Sequence, residues 1–358
     1  MAEYDLAIIG GGPGGYVAAI RAAQLGLSVA LFEKERVGGL CLNWGCIPSK
    51  AILKNADIVN YVRDGKVWGL EGTEAVSFNY GAAVERSRAV VERIVGGVEG
   101  LLKDNGVTVV TGEAALNGTR GVTCGGTSYE AKNIIIATGA STRMLPGIQA
   151  DGSVVLTSRE ALAREDAPRE AVIIGGGPIG VEFAHVWASY GANVTVVELM
   201  DTLLPLEDPD IGRQLRRSFE ARGIRCLAQG RVEDVAVEGG QARVTVRTEK
   251  GDEVLQADTV LIAVGFIPHT AGLNLEAAGV TTQRGFITID DQMRTNVPGI
   301  YAVGDVTGKL MLAHVASQQG VLAAEHIAGK STTVLDYVQM PRATFCQPQV
   351  GSIGYTEA

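Results

Sequence analysis

Short uninterrupted apolar runs alternate along the chain with stretches in which small apolar residues recur at helical spacing. This is the pattern of strands buried on both faces between covering helices. Leu6-Ala7-Ile8-Ile9 is such a strand, residues 17–26 form the helix that follows, and residues 27–32 a second strand ending at Glu33. The same order returns later: Ala171-Val172-Ile173-Ile174, a helix from Val181 to Ala188, and a strand Asn193–Val197 ending at Glu198. Ala171 lies 165 positions after Leu6 (171 less 6), so the chain contains one large repeat. Apolar runs at 133–137 and 259–263 close the two copies, each with a small turn, Ala137-Thr138-Gly139 and Ala263-Val264-Gly265. Residues 114–131 and 232–257 alternate apolar and polar positions between glycine turns and predict short antiparallel meanders. Residues 79–105 predict one long amphipathic helix, its end weakened by Gly96, Gly97 and Gly100. A duplicated strand–helix–strand unit predicts an α/β fold with two Rossmann-like dinucleotide-binding domains of three-layer type.

Each copy carries G-x-G-x-x-G between strand and helix: Gly10, Gly12 and Gly15, then Gly175, Gly177 and Gly180. The first glycine permits the tight turn, the second lets a pyrophosphate approach the backbone, and the third lets helix and strand pack closely. The phosphates then rest on the positive end of the helix. One such motif is often only a tight turn. Here Glu33 and Glu198 each stand 23 positions after the first glycine of their motif, where a carboxylate accepts from both ribose hydroxyls. A 2′-phosphate would meet like charge at Glu198, so the second site favours NAD over NADP, and two dinucleotides are expected in all.

Composition narrows the partners. The chain has 31 Lys+Arg against 40 Asp+Glu, a formal net charge of −9, and no basic cluster, which argues against nucleic acid and anionic membranes. Its longest apolar runs, 171–181 and 260–268, fall far short of the ~20 residues that span a bilayer. Met-Ala-Glu-Tyr-Asp leads straight into a strand, without the basic start and longer apolar stretch of a secretory signal, and a cytoplasmic location is expected. Five cysteines are too few and too unevenly spaced for a disulfide framework; only Cys41 and Cys46 are close.

Those two lie in Cys41-Leu42-Asn43-Trp44-Gly45-Cys46-Ile47-Pro48-Ser49-Lys50. Two buried thiols or half a metal site are the competing readings. The four histidines, 185, 269, 314 and 326, are scattered and no Cys-x-x-Cys occurs, so no metal is expected. A pair that directly follows a nucleotide unit, with Lys50 nearby to favour thiolate, reads better as a redox disulfide beside a flavin. Cys124, Cys226 and Cys346 read as small core residues.

The cysteine segment, the fingerprint at 175–180 and Gly299-Ile300-Tyr301-Ala302-Val303-Gly304-Asp305, in this order, resemble the flavin-dependent pyridine nucleotide–disulfide oxidoreductases along the whole chain. That resemblance implies an FAD domain (1–148 and 275–340) interrupted by an inserted NAD domain (149–274), with 341–358 opening an interface domain. Gly10, Gly12, Gly15 and Glu33 would hold the ADP half of FAD, and Asp305, beside Gly304, the ribityl chain. Thr138, Gly139 and Gly265 are further candidate cofactor contacts, with Gly175, Gly177, Gly180 and Glu198 for NAD. Cys46 would face the flavin and Cys41 exchange with substrate. Lys50 would sit near flavin N5, paired with Glu182 beside the nicotinamide. The helix beginning near Ala313 and His314 would aim its positive end at the flavin pyrimidine.

The implied reaction oxidises dihydrolipoamide, carried on a lipoyl-bearing protein of a 2-oxo-acid dehydrogenase or glycine cleavage complex, and passes hydride to NAD, in a homodimer. Mercuric and glutathione reduction rank lower, the first for want of a terminal cysteine pair, the second because Glu198 disfavours NADP. Leu40 stands where threonine is common, and Phe266 where arginine is frequent. The chain stops at Ala358, before the family's terminal His–Glu base, so the expectation is electron transfer from NADH to artificial acceptors with lipoamide turnover in doubt.

Overall fold

Around the first apolar run a parallel sheet forms in the computed structural model, which describes residues 3–330 and 333–357. Contacts divide the chain into two compact units: Met1–Cys46, Val91–Ser141 and Ile267–Met340 make one, and Ile47–Val90, Thr142–Phe266 and Pro341–Ala358 the other.

In the first unit, strand Glu3–Ile9 lies between Val29–Glu33 and Thr127–Ile136, parallel to both, with Ile9 opposite Phe32 on one side and Ile136 on the other. Thr108–Thr111 extends the sheet beyond Val29–Glu33, and Ile300–Ala302 adds to Thr127–Ile136, again parallel. Leu6, Ala7, Ile8 and Ile9 are buried, as are Ile134, Ile135 and Ile136, which is why these strands read as unbroken apolar runs. The helix Pro13–Gln24 starts with proline in its first turn and buries the small residues Gly14, Gly15, Ala18, Ala19 and Ala22. Its neighbour is Ala313–Ile327: a Cβ on Gly320 would come within 2.4 Å of the Gly14 carbonyl oxygen, so the two backbones pack at glycine distance.

The meander expected at 114–131 is present, and its strands are hydrogen-bonded into the same sheet. Ala114–Leu116 and Gly121–Cys124 pair antiparallel, and Gly121–Cys124 pairs antiparallel with the first half of Thr127–Ile136. The run expected as a strand at 133–137 is the second half of that strand. No glycine or proline interrupts residues 127–136, so one strand serves an antiparallel neighbour first and parallel neighbours afterwards.

In the second unit the parallel order is Arg225–Leu227, Asn193–Val197, Glu170–Ile174, Thr259–Ile262, Val155–Leu156. Here the expected meander, Arg231–Glu238, Gln241–Thr248 and Gly251–Ala257, is a sheet of its own. Its Ala242, Val244, Val246 and Leu255 share a core with Val172, Ile174, Val260 and Ile262 of the parallel sheet, giving the layered arrangement. Helix Pro178–Ser189 joins a second core, where Phe183, Val186 and Trp187 cluster with Ile52, Leu53, Ala56, Tyr80 and Val84. Residues 47–90 therefore pack with the second unit, although their place in the chain suggested the first. Their apolar residues bury against side chains more than 90 positions away, a pairing that local pattern does not encode.

The long helix runs Tyr80–Asp104 and passes through Gly96, Gly97 and Gly100 without a break. Val91, Val95, Val98 and Leu102 are buried at helical spacing, and that burial outweighs the roughly 1 kcal/mol each glycine costs. Among the described residues no helix is long and apolar enough to cross a membrane.

Candidate active site

Cys41 lies in the short helix Gly39–Trp44, and Cys46 opens the helix Cys46–Arg63. The two sulfurs are joined as a disulfide, with their Cα atoms 4.7 Å apart. Gly45 makes the approach possible: a Cβ there would stand 3.0 Å from the Leu40 carbonyl oxygen and 3.3 Å from the Cys41 Cα. The remaining cysteines, 124, 226 and 346, are buried free thiols. Burial pushes the Cys226 thiol up to about 12, and burial together with the Glu182 charge does the same to Cys346. Burial raises the Cys124 thiol as well, so all three free thiols are disfavoured as thiolates, and thiol–disulfide chemistry falls to Cys41 and Cys46.

One turn along the helix that Cys46 opens, Lys50 reaches Glu182 on helix Pro178–Ser189. Its Nζ donates to Oε2 at 2.9 Å and to Oε1 at 3.0 Å. A 132-residue separation in sequence ends in a charge pair whose carboxylate is buried, while the Lys50 side chain stays 38% exposed.

The two fingerprints fold alike. Gly10 and Gly175 have φ of +106° and +114°, and a Cβ on either would clash with the carbonyl oxygen of Ala137 or Ala263, 2.3 Å away in each case. Gly15 and Gly180 are fixed by close packing: a Cβ would come within 1.8 Å and 1.9 Å of the carbonyl oxygens of Gly10 and Gly175. The middle glycines are different. Among the described residues, chain neighbours aside, a Cβ on Gly177 would meet nothing within 4 Å, and one on Gly12 would meet only the Gly39 Cα at 4.0 Å. Both have φ near −70°, which any residue adopts. The fold does not need glycine at 12 or 177, whereas a pyrophosphate lying on the helix amides does.

Glu33 accepts from the Gly11 amide at 2.7 Å and the Glu35 amide at 2.8 Å. Glu198 repeats this with Gly176 at 2.6 Å and Met200 at 2.8 Å. Each carboxylate is thus locked beside its glycine loop with lone pairs to spare for ribose hydroxyls. Thr138 and Gly139 are cross-tied to His269: the Thr138 hydroxyl donates to its carbonyl at 2.7 Å, and its main-chain N–H donates to Gly139 at 3.0 Å. Gly265, with φ of +105°, accepts the Arg143 amide at 2.8 Å. Beside it the Arg143 guanidinium donates to the Phe266 carbonyl at 3.3 Å.

Gly304 and Asp305 open a single 3₁₀ turn, Gly304–Thr307. Burial pushes the Asp305 carboxyl up to about 6, and among the described residues no cation or donor offsets it. A carboxylate without donors in this place suits the ribityl hydroxyls of a flavin, and Asp305 together with the open glycines 12 and 177 makes the residues fit FAD and NAD. Helix Ala313–Ile327 begins without a side-chain cap, so its first amides are free to face a ligand. His185 is wholly buried and lowered to about 4 by burial and then by the Arg222 charge; its Nε2 stands 3.4 Å from Asp57 Oδ1.

Two residues near these groups escaped the sequence reading. Gln319, fully buried on helix Ala313–Ile327, accepts the Gly304 amide at 2.6 Å and donates to the Tyr337 hydroxyl at 2.9 Å. A polar residue on an otherwise apolar face between Val315 and Leu322 was the available signal. Phe345 donates its main-chain N–H to Glu182, and nothing local marks it.

The pyridine nucleotide-disulphide oxidoreductase model matches residues 4–320. A dihydrolipoyl dehydrogenase of Mycobacterium tuberculosis is 47% identical over 365 residues, spanning 100% of this chain and 78% of that protein. One from Chlorobaculum tepidum is 45% identical over 362 residues, covering 99% and 77%. Among solved structures, LpdA of Mycobacterium tuberculosis superposes with a TM-score of 0.91 at 29% identity, covering 100% of this chain and 79% of its own. The HOCl-induced flavoprotein disulfide reductase RclA of Escherichia coli follows with 0.86 at 28% identity, covering 99% and 78%. The chain belongs to the pyridine nucleotide-disulphide oxidoreductase family. It is an NAD-dependent oxidoreductase of that class, with FAD and NAD as its cofactors and Cys41–Cys46 as its disulfide.

Proposed function

We propose that the chain oxidises dihydrolipoamide at the Cys41–Cys46 disulfide and delivers the electrons to NAD. The observation that carries this reading is the disulfide itself, formed across Gly45 and directly followed on its helix by the Lys50–Glu182 pair. The dihydrolipoyl dehydrogenases that match the whole chain support the choice of dithiol.

A substrate thiolate attacks the Cys41 sulfur, and Cys46 leaves as a thiolate. The second substrate thiolate then attacks the substrate sulfur of the mixed disulfide, closing the lipoyl ring and releasing Cys41. Bound FAD would supply a two-electron relay for the dithiol, and NAD would supply the final hydride acceptor. Gly10, Gly12, Gly15, Glu33, Thr138, Gly139, Gly304, Asp305 and the amides at Ala313 would hold the flavin. Gly175, Gly177, Gly180, Glu198 and Gly265 hold NAD in 149–274. Lys50 and Glu182 would keep a charge pair beside the nicotinamide. Glu198 repels a 2′-phosphate, so NAD is used over NADP. The substrate arrives on a lipoyl-bearing protein of a 2-oxo-acid dehydrogenase or glycine cleavage complex in the cytoplasm, and the working form is a homodimer.

Dihydrolipoamide with NAD, compared with NADH plus a dye, tests the proposal on the flavin-loaded chain. Cys41→Ser is expected to cut dihydrolipoamide oxidation by at least about a thousandfold while dye reduction persists, because the nucleophilic exchange is lost and the hydride path is not. Equal loss of both activities would contradict the division of roles. Dye reduction without lipoamide turnover in the unsubstituted chain would favour a module that carries electrons from NADH alone.

A further inference from the structure

The Lys50–Glu182 pair has a third member. Strands Arg342–Thr344 and Val350–Ser352 form an antiparallel hairpin, and residues 345–349 connect them. The Phe345 main-chain N–H donates to Glu182 Oε1 at 2.9 Å, the same oxygen that receives Lys50 Nζ at 3.0 Å. The Phe345 ring centroid lies 5.1 Å from that Nζ, within cation–π range. One residue thus touches both charges, the carboxylate through its backbone and the ammonium through its ring.

The hairpin is fastened on either side of this contact. Before it, Arg342 reaches Glu207 at 3.7 Å and the Leu206 carbonyl at 3.4 Å. After it, Cys346 is buried in the core that contains Ile52 and Phe183. The Gln347 carbonyl accepts from Arg222 at 3.2 Å and its side-chain oxygen from Asn60 at 3.3 Å. Where the Phe345 amide stands is therefore fixed without help from Glu182. A glutamate on a helix keeps several rotamers when its only partner is a flexible lysine; an anchored amide on one oxygen selects among them. The ring meanwhile covers one side of the ammonium and takes no proton from it.

We propose that Phe345 is a positioning residue for hydride transfer, its amide setting the Glu182 carboxylate and its ring holding the Lys50 ammonium against it. This rests on the reading that the pair serves the nicotinamide step.

The test uses the flavin-loaded chain and two independent readouts, brief reductive methylation read at Lys50 by peptide mass spectrometry against the exposed Lys34, and steady-state NADH oxidation with a dye. In Phe345→Leu and Phe345→Ala, Lys50 should label at least about threefold faster, the ring's share of its protection. The dye-reduction kcat should fall about tenfold with the NADH KM within about twofold, since the loss is of orientation and not of binding. Phe345→Tyr keeps ring and amide and should restore both. Unchanged labelling and kcat in a folded Phe345→Leu chain overturn the proposal, and so does a kcat loss that tracks the melting temperature and is not rescued by tyrosine. If instead Lys50→Met oxidises NADH at the unsubstituted rate, the reading of the pair falls, whereas the labelling arm still reports whether Phe345 holds it.

Discussion

At the scale of single residues, the chain places groups at a cost that only a ligand offsets. Asp305 carries a carboxyl raised from its ordinary 3.8 to about 6 by burial. For an acid whose folded pKa lies above its unfolded value, the fold favours the neutral form. The penalty is absent below about pH 4, grows between 4 and 6, and is complete above that, at most about 3 kcal/mol. Asp305→Asn should therefore stabilise the flavin-free chain to denaturant at pH 7 by up to that amount and change little at pH 3.5. The same substitution should weaken FAD uptake, measured by quenching of flavin fluorescence. A stabilised variant that binds FAD as tightly as before would remove Asp305 from the flavin site. Cys41, Cys46 and the nearby Lys50 stood out in the sequence as a close thiol pair followed by a cation, whereas Glu182 and Asp305 were expected only from the family resemblance. Gln319 and Phe345 were marked by neither, since each acts through a contact whose partner is remote or local only in the folded chain, 163 positions away in the case of Phe345 and Glu182.

At the scale of elements, the two strand–turn–helix units were legible for a physical reason. A turn that must place a helix against a strand at glycine distance writes itself into three fixed positions, and the structure separates their duties. Gly180→Ala puts a methyl 1.9 Å from the Gly175 carbonyl oxygen and should destabilise the chain by about 3 kcal/mol or more, as overpacking against backbone does. Gly177→Ala adds a methyl that meets nothing among the described residues within 4 Å, chain neighbours aside, and should leave stability within about 0.5 kcal/mol. Its cost should fall on the nucleotide, raising the NADH KM about tenfold, because the methyl occupies the pyrophosphate's approach. Chemical denaturation and steady-state kinetics on the two variants check both halves. If Gly177→Ala destabilised the chain and left NADH binding unchanged, the second glycine would be a folding residue. The meander at 114–131 was legible as strands but not as an extension of the first sheet, because alternation reports which faces are buried and not which neighbour an edge takes.

At the scale of the whole molecule, two buried titratable groups oppose each other in acid. His185 is lowered from 6.5 to about 4, so its neutral form belongs to the fold; the stability it contributes is present above pH 6.5 and lost as pH falls through 4. Asp305 does the reverse over nearly the same window, and each term is on the order of 3 kcal/mol. The two contributions should therefore oppose each other between pH 6.5 and 4, so Asp305→Asn should lose stability on acidification more steeply than the unsubstituted flavin-free chain. Urea midpoints across that range measure this, and a level profile in Asp305→Asn would contradict the opposition. The grouping of residues 47–90 with 142–266 belongs to this scale too. It depends on Ile52, Leu53, Tyr80 and Val84 meeting Phe183 and Trp187, which no window of sequence shorter than a domain displays.

The central claim is that electrons pass between a nicotinamide carrier and the Cys41–Cys46 disulfide through a flavin. Reducing the FAD-loaded chain with NADH without oxygen, trapping thiols with an alkylating reagent and mapping the labels tests it most directly. Labels should appear together on Cys41 and Cys46, absent before NADH is added, with Cys124, Cys226 and Cys346 unlabelled in the folded chain. A flavin fully bleached by NADH while the Cys41–Cys46 disulfide stays intact would contradict the claim.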